Sequence, residues 1–206
     1  NNMAEPVKLG TTIMSVKYAG GVILGADTRT SAGSYVANRV SYKISKLSDR
    51  IYCCRSGSAA DTRFLADVTK TNLSMHSSII EEPPLVRTAA RLMRHYTYAY
   101  REHLSAGLIV AGVDEIEGPK VFQLPSGGSA IEIPVAIGGS GSTFITAFVD
   151  ANYRPDMNKA EALQFVIRAI SHAMDRDGSS GGIIRTVVIP ESEDEEVAEE
   201  WHKTVL

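Results

Sequence analysis

A threonine directly follows a glycine where an irregular leader meets the first alternating apolar segment, Leu9-Gly10-Thr11-Thr12-Ile13-Met14-Ser15-Val16. If the Gly10–Thr11 bond is cut, Thr11 carries a hydroxyl and a free α-amine, whose reference pKa of about 7.7–8.0 lies near working pH. Such an amine can act as the general base for its own hydroxyl, so Thr11 is a candidate nucleophile. On these residues alone, an irregular tail that enters an edge strand is the simpler interpretation.

Composition and charge limit the classes of protein to which the chain can belong. Its 206 residues, 44% hydrophobic and 22% charged, fit one globular domain with a substantial core. The formal net charge of −3 gives no electrostatic basis for binding nucleic acid or a membrane. No apolar run approaches the ~18–20 residues that a membrane span needs. Residues 1–8 lack the apolar core of a signal peptide, so we expect no export.

The two cysteines of the chain are adjacent, at Cys53 and Cys54. In a strand, neighbouring side chains point to opposite faces, so we expect no disulfide between these two residues. Free thiols are typical of a reducing compartment, and we expect the cytoplasm or nucleus.

Two charged residues on predicted strands could form a buried pair. Asp27 ends the apolar run 22–27, and a carboxylate there costs free energy unless it is paired. Lys43, in the next predicted strand, is the candidate partner, although a purely structural ion pair or two solvated ends would explain these residues as well. The segment 55–61 follows a strand and opens a helix, where backbone N–H groups can bind an oxyanion. Gly57 permits close approach of the backbone there, but such junctions are common.

Metal and nucleotide sites find less support in the sequence. No two histidines have the spacing of a helical metal site, so we expect no metal. Residues 175–178 resemble the start of a calcium loop, but the third acidic ligand and the closing glutamate are missing. The glycine-rich turn 138–143 lies between a predicted strand and helix, as phosphate-binding loops do. Because no lysine follows it, nucleotide binding is kept only as an alternative.

The hydrophobic pattern predicts strands, two helices, strands, two helices and a strand, in that order. Residues 12–18 alternate, 22–27 are apolar throughout, and residues 19–21 form a hairpin turn between them. This order predicts two packed antiparallel sheets with helices outside, a domain of the α+β class. The acidic segment 191–196 is expected to be a solvated tail. The remaining predicted strands are 41–47, 50–55, 108–113, 120–124, 131–137 and 183–189. The first predicted helix begins near residue 59 and ends at the Glu-Glu-Pro-Pro break of residues 81–84. The other predicted helices are 85–104, 143–152 and 159–174.

Several motifs, in order along nearly the whole chain, together resemble the proteasome β subunits of the N-terminal nucleophile hydrolase family. Residues 53–61, Cys-Cys-Arg-Ser-Gly-Ser-Ala-Ala-Asp, resemble the β1 type, the caspase-like subunit. The other motifs are Gly-Thr-Thr-Ile-Met at 10–14, Gly-Val-Ile-Leu-Gly-Ala-Asp-Thr-Arg-Thr at 21–30, Ala-Asn-Arg-Val at 37–40, Gly-Ser-Gly-Ser-Thr at 139–143 and Asp-Gly-Ser-Ser-Gly-Gly at 177–182.

The resemblance implies a four-layer αββα sandwich and a threonine endopeptidase that needs no cofactor. Residues 1–10 would be a propeptide, removed by autocatalytic cleavage after Gly10, and residues 11–206 the hydrolase domain. The implied partners are other α and β subunits in stacked heptameric rings, and the substrates are unfolded polypeptides. The implied location is the cytoplasm and nucleus.

The resemblance also assigns roles to individual residues. Thr11 is the nucleophile, Asp27 and Lys43 are its acidic and basic partners, and Gly57 is the oxyanion donor. Ser140, Asp177 and Ser180 match the residues around the threonine amine. Arg55 matches the specificity position, where a guanidinium would accept an acidic side chain and favour cleavage after Glu or Asp. The pocket is expected to be shaped further by Thr30, Ser31, Ser41, Ser45 and Ala59.

One alternative within the resemblance is a non-catalytic structural subunit of the ring. Such relatives keep the fold but lack the threonine or its partners, whereas Thr11, Asp27 and Lys43 are all present in this chain. In both cases the Gly10–Thr11 bond, while intact, acylates the amine and masks it as a base.

Overall fold

The computed structural model describes residues 10–32 and 35–205, so the predicted propeptide lies outside the described residues except for Gly10. The described part contains two five-stranded antiparallel sheets, a two-stranded hairpin and four α-helices. The strands are β1 (Ile13–Tyr18), β2 (Gly21–Asp27), β3 (Thr30–Ala32), β4 (Tyr35–Asn38), β5 (Ile44–Ser48), β6 (Ile51–Gly57), β7 (Ala106–Asp114), β8 (Gly118–Leu124), β9 (Ile131–Glu132), β10 (Val135–Gly138), β11 (Ile184–Pro190) and β12 (Ala198–His202). The helices are α1 (Ala59–Ile80), α2 (Val86–Ala99), α3 (Ser142–Asn152) and α4 (Lys159–Arg176).

The elements form four layers, which confirms the predicted αββα sandwich. One sheet has the order β10-β1-β2-β11-β12 and the other β5-β6-β7-β8-β9. Apolar side chains fill three interfaces: α3 and α4 against the first sheet, sheet against sheet, and α1 and α2 against the second sheet. All seven residues of β2 are buried, as its continuous apolar run predicts, because α4 covers one of its faces and the second sheet the other.

Local sequence signals set the ends of the helices. The Ser58 side chain caps the first turn of α1, and the prolines after Glu81 prevent its continuation. Helix α4 begins with a capping box between Asn158 and Glu161. Short-range contacts therefore specify the start of α1, directly after β6, and the start of α4.

The structure differs from the predicted elements at several boundaries. The predicted strand 41–47 begins only at Ile44, and the turn-rich segment before it contains the β3–β4 hairpin. The predicted strand 131–137 is divided, because Pro134 has no N–H for a ladder. The second predicted helix ends at Ala99 rather than at residue 104.

The acidic tail continues into a strand that the sequence analysis did not predict. Residues 191–196 are exposed, as expected, but β12 then pairs with β11 at the edge of the first sheet. An edge strand with one face in solvent can carry charged residues, and its Ala-Glu-Glu-Trp-His sequence has no clear apolar alternation.

The adjacent cysteines point to opposite faces of β6, as predicted. Cys53 packs among the side chains facing α1 and α2, and Cys54 lies between the two sheets. Both are free thiols with no exposed surface. Burial raises the pKa of Cys53 to about 12 and that of Cys54 well above its ordinary value.

We therefore expect neither cysteine to react with iodoacetamide in the folded protein, because the reactive thiolate is both inaccessible and disfavoured. Both should be alkylated in denaturant, which mass spectrometry of the peptide containing them would detect. An exposed thiol introduced by Ser78→Cys on α1 serves as the positive control. Native alkylation of Cys53 and Cys54 at the rate of that control would contradict the burial described here.

Candidate active site

Thr11 is held at the beginning of β1 by an extension of the β1–β2 pairing. The backbone N–H of Thr12 donates to Asp27 Oδ1 at 2.9 Å, and the Asp27 N–H donates to the Thr12 carbonyl at 3.1 Å. The Thr11 carbonyl accepts from the N–H of Gly141, which precedes α3. Thr11 is buried, and its backbone is fixed from both neighbouring segments.

A buried ion pair lies beside Thr11. Lys43 Nζ is 2.7 Å from Asp27 Oδ1, and the two side chains are only 7% and 0% exposed. The other oxygen of Asp27 accepts from the backbone N–H groups of Gly181 (2.9 Å) and Arg29 (3.3 Å). Burial lowers the pKa of Lys43, and the negative charge of Asp27 offsets only part of this effect. The predicted partners are thus brought together, with Asp27 fully hydrogen-bonded.

The carbonyl of Gly10 accepts two hydrogen bonds. Lys43 Nζ donates to it at 3.1 Å, and Thr11 Oγ1 donates at 2.7 Å. A cation directed at a carbonyl oxygen draws electron density from the carbonyl carbon and stabilises negative charge on the oxygen. The Gly10–Thr11 peptide is therefore polarised next to the hydroxyl that could attack it.

A second polar network contacts the nitrogen of Thr11. This N–H donates to Ser140 Oγ at 3.1 Å, and Ser140 Oγ donates to Asp177 Oδ2 at 2.7 Å. Ser180 Oγ donates to the same carboxylate oxygen at 2.6 Å and lies 2.8 Å from the hydroxyl of Thr12. These three residues, predicted to surround the amine, form one connected network at the Thr11 nitrogen.

Asp177 stays ionised within this network. Burial raises the pKa of Asp177, but hydrogen bonds from Ser180, Ser140 and the Ser179 amide outweigh burial, and the pKa lies below its ordinary value. A depressed pKa stabilises the folded state above the unfolded pKa of about 3.9, and this stabilisation is lost as pH falls through the folded pKa. At neutral pH the carboxylate accepts hydrogen bonds from the hydroxyls of both serines, so the Ser140 oxygen presents a lone pair to the Thr11 N–H.

Two glycines are required by the close packing around Thr11. A Cβ on Gly10 would lie 2.0 Å from Ser179 Cβ and 2.4 Å from the Ser179 carbonyl oxygen. Gly139 has a φ of +82°, and a Cβ there would lie 2.1 Å from the Thr11 carbonyl oxygen. Both positions exclude side chains, so the backbone encloses Thr11 at van der Waals distance.

A cavity of about 320 Å³ opens beside Thr11. Arg55 lies in its wall and donates to Ser45 Oγ at 2.9 Å, to the Tyr42 carbonyl at 2.6 Å and to Thr62 Oγ1 at 3.4 Å. Among the described residues no carboxylate forms an ion pair with this guanidinium. The cavity therefore combines a fixed, uncompensated positive charge with direct access to Thr11. Its lining residues are Thr11, Thr30, Asn38, Val40, Ser41, Tyr42, Lys43, Arg55, Gly57, Ala59, Thr62 and Arg63.

The predicted pocket residues occupy three kinds of position. Thr30, Ser41 and Ala59 line the cavity with Arg55, as does Gly57, the predicted oxyanion donor. Ser45 lies behind the guanidinium and orients it, without lining the cavity. Ser31 is buried away from the cavity and donates to the Ser179 carbonyl at 3.4 Å.

Several residues that line the cavity were not predicted from the sequence. Thr62 and Arg63 lie one helical turn after Ser58 and Ala59 in α1, so the helical spacing could have identified them. Asn38 ends β4, and Val40 and Tyr42 come from the irregular segment before β5, where no periodicity indicates which side chains face the cavity.

A second cavity has none of the predicted catalytic or pocket residues in its lining. This larger cavity of about 1190 Å³ lies between the β5–β6 turn, the α1–α2 connection and the β7–β8 turn. Within residues 10–32 and 35–205, no three His, Cys, Asp or Glu side chains are grouped as metal ligands. None of the helices in the described part is long and apolar enough to cross a membrane.

Comparison with known proteins gives the family. The family model described as "Proteasome subunit" matches residues 7–189. The chain belongs to the proteasome β-subunit family. A Dictyostelium discoideum protein named "Proteasome subunit beta type-6" is 50% identical over 183 residues, which are 89% of this chain and 86% of the relative. Membership of the proteasome family implies assembly with other proteasome subunits.

Further β-subunit relatives carry different type numbers. A Schizosaccharomyces pombe protein named "Probable proteasome subunit beta type-1" is 52% identical over 89% of this chain and 81% of its own length. The human "Proteasome subunit beta type-9" is 52% identical over 90% of this chain and 84% of its own length. The similarity alone therefore assigns the chain to the β subunits without choosing a type.

The two residues of the buried pair should contribute unequally to the free energy of unfolding. Asp27→Ala should lower it by about 3–5 kcal/mol, because Lys43 loses its counterion and backbone N–H donors lose their acceptor. Lys43→Met should cost less, about 1–3 kcal/mol, since Asp27 keeps its backbone donors. Denaturant unfolding of each variant measures both effects.

Lys46→Met is the matched control for these variants. Lys46 is half exposed in β5 and pairs with the exposed Asp49, so its loss should change stability by less than about 0.5 kcal/mol. Equal destabilisation by Asp27→Ala and Lys46→Met would contradict a structural role for the buried pair.

Proposed function

We propose that this chain is a threonine endopeptidase subunit of the proteasome core, of the β1 caspase-like type, with Thr11 as its nucleophile. The observation that carries the proposal is the arrangement around Thr11. Lys43 and the Thr11 hydroxyl both donate to the Gly10 carbonyl, and Ser140 accepts from the Thr11 nitrogen. The oxygen that gains negative charge, the hydroxyl that attacks and the nitrogen that is released are thus all hydrogen-bonded in the arrangement that the reaction needs.

The first reaction is self-cleavage after Gly10. Thr11 Oγ1 attacks the Gly10 carbonyl carbon, and the hydrogen bond from Lys43 stabilises the negative charge on the oxygen. The C–N bond breaks, the proton lost by the Thr11 hydroxyl is transferred to the Thr11 nitrogen, and the Gly10 acyl group becomes an ester of the Thr11 side-chain oxygen. Water then hydrolyses this ester, which leaves a carboxylate on Gly10 and a free amine on Thr11.

The second reaction is cleavage of a peptide substrate. The free amine, oriented by Ser140, takes the proton of the Thr11 hydroxyl, while the positive charge of Lys43 favours the alkoxide and keeps the amine neutral. The hydroxyl oxygen attacks the substrate carbonyl, and the backbone N–H of Gly57 stabilises the oxyanion. The amine product leaves with a proton, and water hydrolyses the resulting ester.

The acidic preference rests on Arg55. Its guanidinium lies in the wall of the cavity that opens at Thr11 and forms no ion pair with a described carboxylate. A Glu or Asp side chain before the scissile bond would supply the missing charge. A hydrogen bond to a charged group contributes about 1.5–3 kcal/mol, which corresponds to a selectivity of roughly 10- to 150-fold.

The proposal extends to partners and location. The chain works within rings of α and β subunits on unfolded polypeptides, as the family resemblance implies, and the free precursor is expected to be inert. The free thiols of Cys53 and Cys54 are compatible with the cytoplasm and nucleus.

Substitution of Thr11 tests the nucleophile. In assembled particles, Thr11→Ala should leave the Gly10–Thr11 bond intact and abolish labelling by electrophiles that trap N-terminal threonines, since no hydroxyl is present to attack. Thr11→Ser keeps the hydroxyl and should still be processed and labelled. Intact mass measurement of the chain detects both the cleavage after Gly10 and the labelling of Thr11. A wild-type chain that keeps Gly10 in the finished particle would instead identify a non-catalytic ring subunit.

Substitution of Arg55 tests the specificity. Peptide electrophiles with Glu or Leu before the reactive group are compared by their rates of labelling Thr11 of this chain. Arg55→Met should lower the Glu-to-Leu rate ratio roughly 10- to 150-fold, because the charge that binds the acid is removed.

Arg63→Met is the matched control for Arg55→Met. Arg63 lines the same cavity, but its side chain is mostly exposed and pairs with Asp67, so its removal should change the ratio little. A ratio that is unchanged in Arg55→Met, or that falls equally in Arg63→Met, would be evidence against the assigned pocket.

A further inference from the structure

Four side chains form a cluster where the carboxy-terminal strand β12 meets the segment before β5. The guanidinium of Arg185 lies 4.8 Å from the ring centre of Tyr42 and 5.5 Å from that of Trp201. The rings of Tyr42 and Trp201 are 5.7 Å apart and nearly perpendicular. Glu199 forms an ion pair with Arg185. We call Arg185, Glu199, Trp201 and Tyr42 the clamp.

The strand register explains how β12 contributes to the clamp. Arg185 of β11 lies directly opposite Trp201 of β12, and Glu199 is two residues from Trp201 on the same face. Side chains two residues apart on a strand share a face, so Glu199 and Trp201 flank the guanidinium together. The apparently irregular acidic end of the chain therefore has a specific contact surface.

The clamp holds the backbone on both sides of Lys43. Arg185 contacts the ring of Tyr42 and donates through Nη1 to the Ile44 carbonyl at 3.1 Å. Residues 39–43 belong to no helix or strand, so side-chain contacts contribute strongly to holding this segment. Thr28 Oγ1 donates to the Arg39 carbonyl at 2.8 Å, the hydroxyls of Thr30 and Ser41 lie 2.6 Å apart, and the clamp holds the ring of Tyr42. Tyr42 and Trp201 are 60% and 42% exposed, so their contact is not part of the hydrophobic core.

Tyr42 connects the clamp to the specificity cavity. Its carbonyl accepts from Arg55 Nη2 at 2.6 Å, the shortest of the three hydrogen bonds that orient this guanidinium. Tyr42 also lines the cavity itself. A displacement of Tyr42 would therefore free one edge of the Arg55 guanidinium, whereas Lys43 Nζ would stay on Asp27, which is fixed independently by backbone donors.

We infer that Trp201 and Arg185 are positioning residues for substrate selection. They hold Tyr42, which in turn holds the Arg55 guanidinium in the orientation that binds an acidic side chain. The inference rests on the proposed function of Arg55. It assigns the carboxy-terminal strand a part in specificity, although no residue of this strand touches the cavity.

The test uses assembled particles and the same Glu and Leu peptide electrophiles, with the maximal labelling rate and the half-saturating concentration measured separately for Thr11 of this chain. Trp201→Ala should raise the half-saturating concentration of the Glu probe about three- to tenfold, the size expected for aromatic and cation–π contacts at a partly exposed site. The maximal rate and the Leu probe should change little. Trp201→Phe keeps an aromatic ring and should retain most of the wild-type behaviour.

Two further variants make the outcome decisive. Glu200→Ala changes a residue on the opposite face of β12 and should leave both probes unaffected. Where Trp201→Ala fails to assemble, Trp201→Leu removes the aromatic ring but keeps an apolar side chain outside the cavity, and the same selective loss is expected. An equal loss on both probes, or no change for the Glu probe, would overturn the inference.

Arg55→Met, measured in parallel, separates this inference from the proposed function. If Arg55→Met lowers the Glu-to-Leu ratio and neither Trp201→Ala nor Trp201→Leu does, the clamp does not position the pocket. If Arg55→Met itself leaves the ratio unchanged, the pocket assignment fails and the clamp has no role in specificity.

Discussion

The buried ion pair between Lys43 and Asp27 is the constraint on which the site depends. Removing two charges from water costs several kcal/mol for each ion unless each is paired and hydrogen-bonded. The Asp27 carboxylate meets this requirement with donors from Thr12, Arg29, Gly181 and Lys43, which belong to four separate segments of the chain. When all of these donors bind the Asp27 carboxylate, the start of β1, the loop before β11 and the residue before β5 are brought together.

Two separate polar networks meet at Thr11 and divide its chemistry. The pair of Lys43 and Asp27 acts on the carbonyl and hydroxyl side, and Ser140 with Asp177 acts on the nitrogen side. Because the two carboxylates stay apart, each keeps its own donors. The same nitrogen can therefore be a peptide N–H before cleavage and an amine after it while keeping the same hydrogen-bond partner.

The sequence was informative where short-range patterns determine structure. The fully apolar run of β2, the alternation of β1 and the helix breaks at glycine and proline predicted the four layers, and the family motifs named the residues that meet at Thr11. The irregular segment 39–43 and the strand β12 were not predictable in this way. Their positions depend on long-range contacts, such as that between Tyr42 and Trp201, and neither segment shows an apolar period.

The position of Ser45 illustrates the same limit within the site. Its family position places it at the pocket, and its neighbour in space is Arg55, but it orients the guanidinium from behind instead of facing the cavity. Whether a side chain faces a cavity or supports its wall depends on distances of a few ångströms. A motif carries no information on that scale.

The crowding at Gly10 separates two reactions that share one nucleophile. A side chain on Gly10 would point towards Ser179. The cavity that contains Arg55 is formed mainly by other segments, residues 38–43 and 55–63. In the proposed mechanism, the acyl residue of the cis reaction therefore contacts a different wall from the acyl residue of a trans substrate. In that mechanism, changes in the cavity alter which peptides are cut while self-cleavage after Gly10 continues, so the proposed specificity can diverge during evolution without loss of maturation.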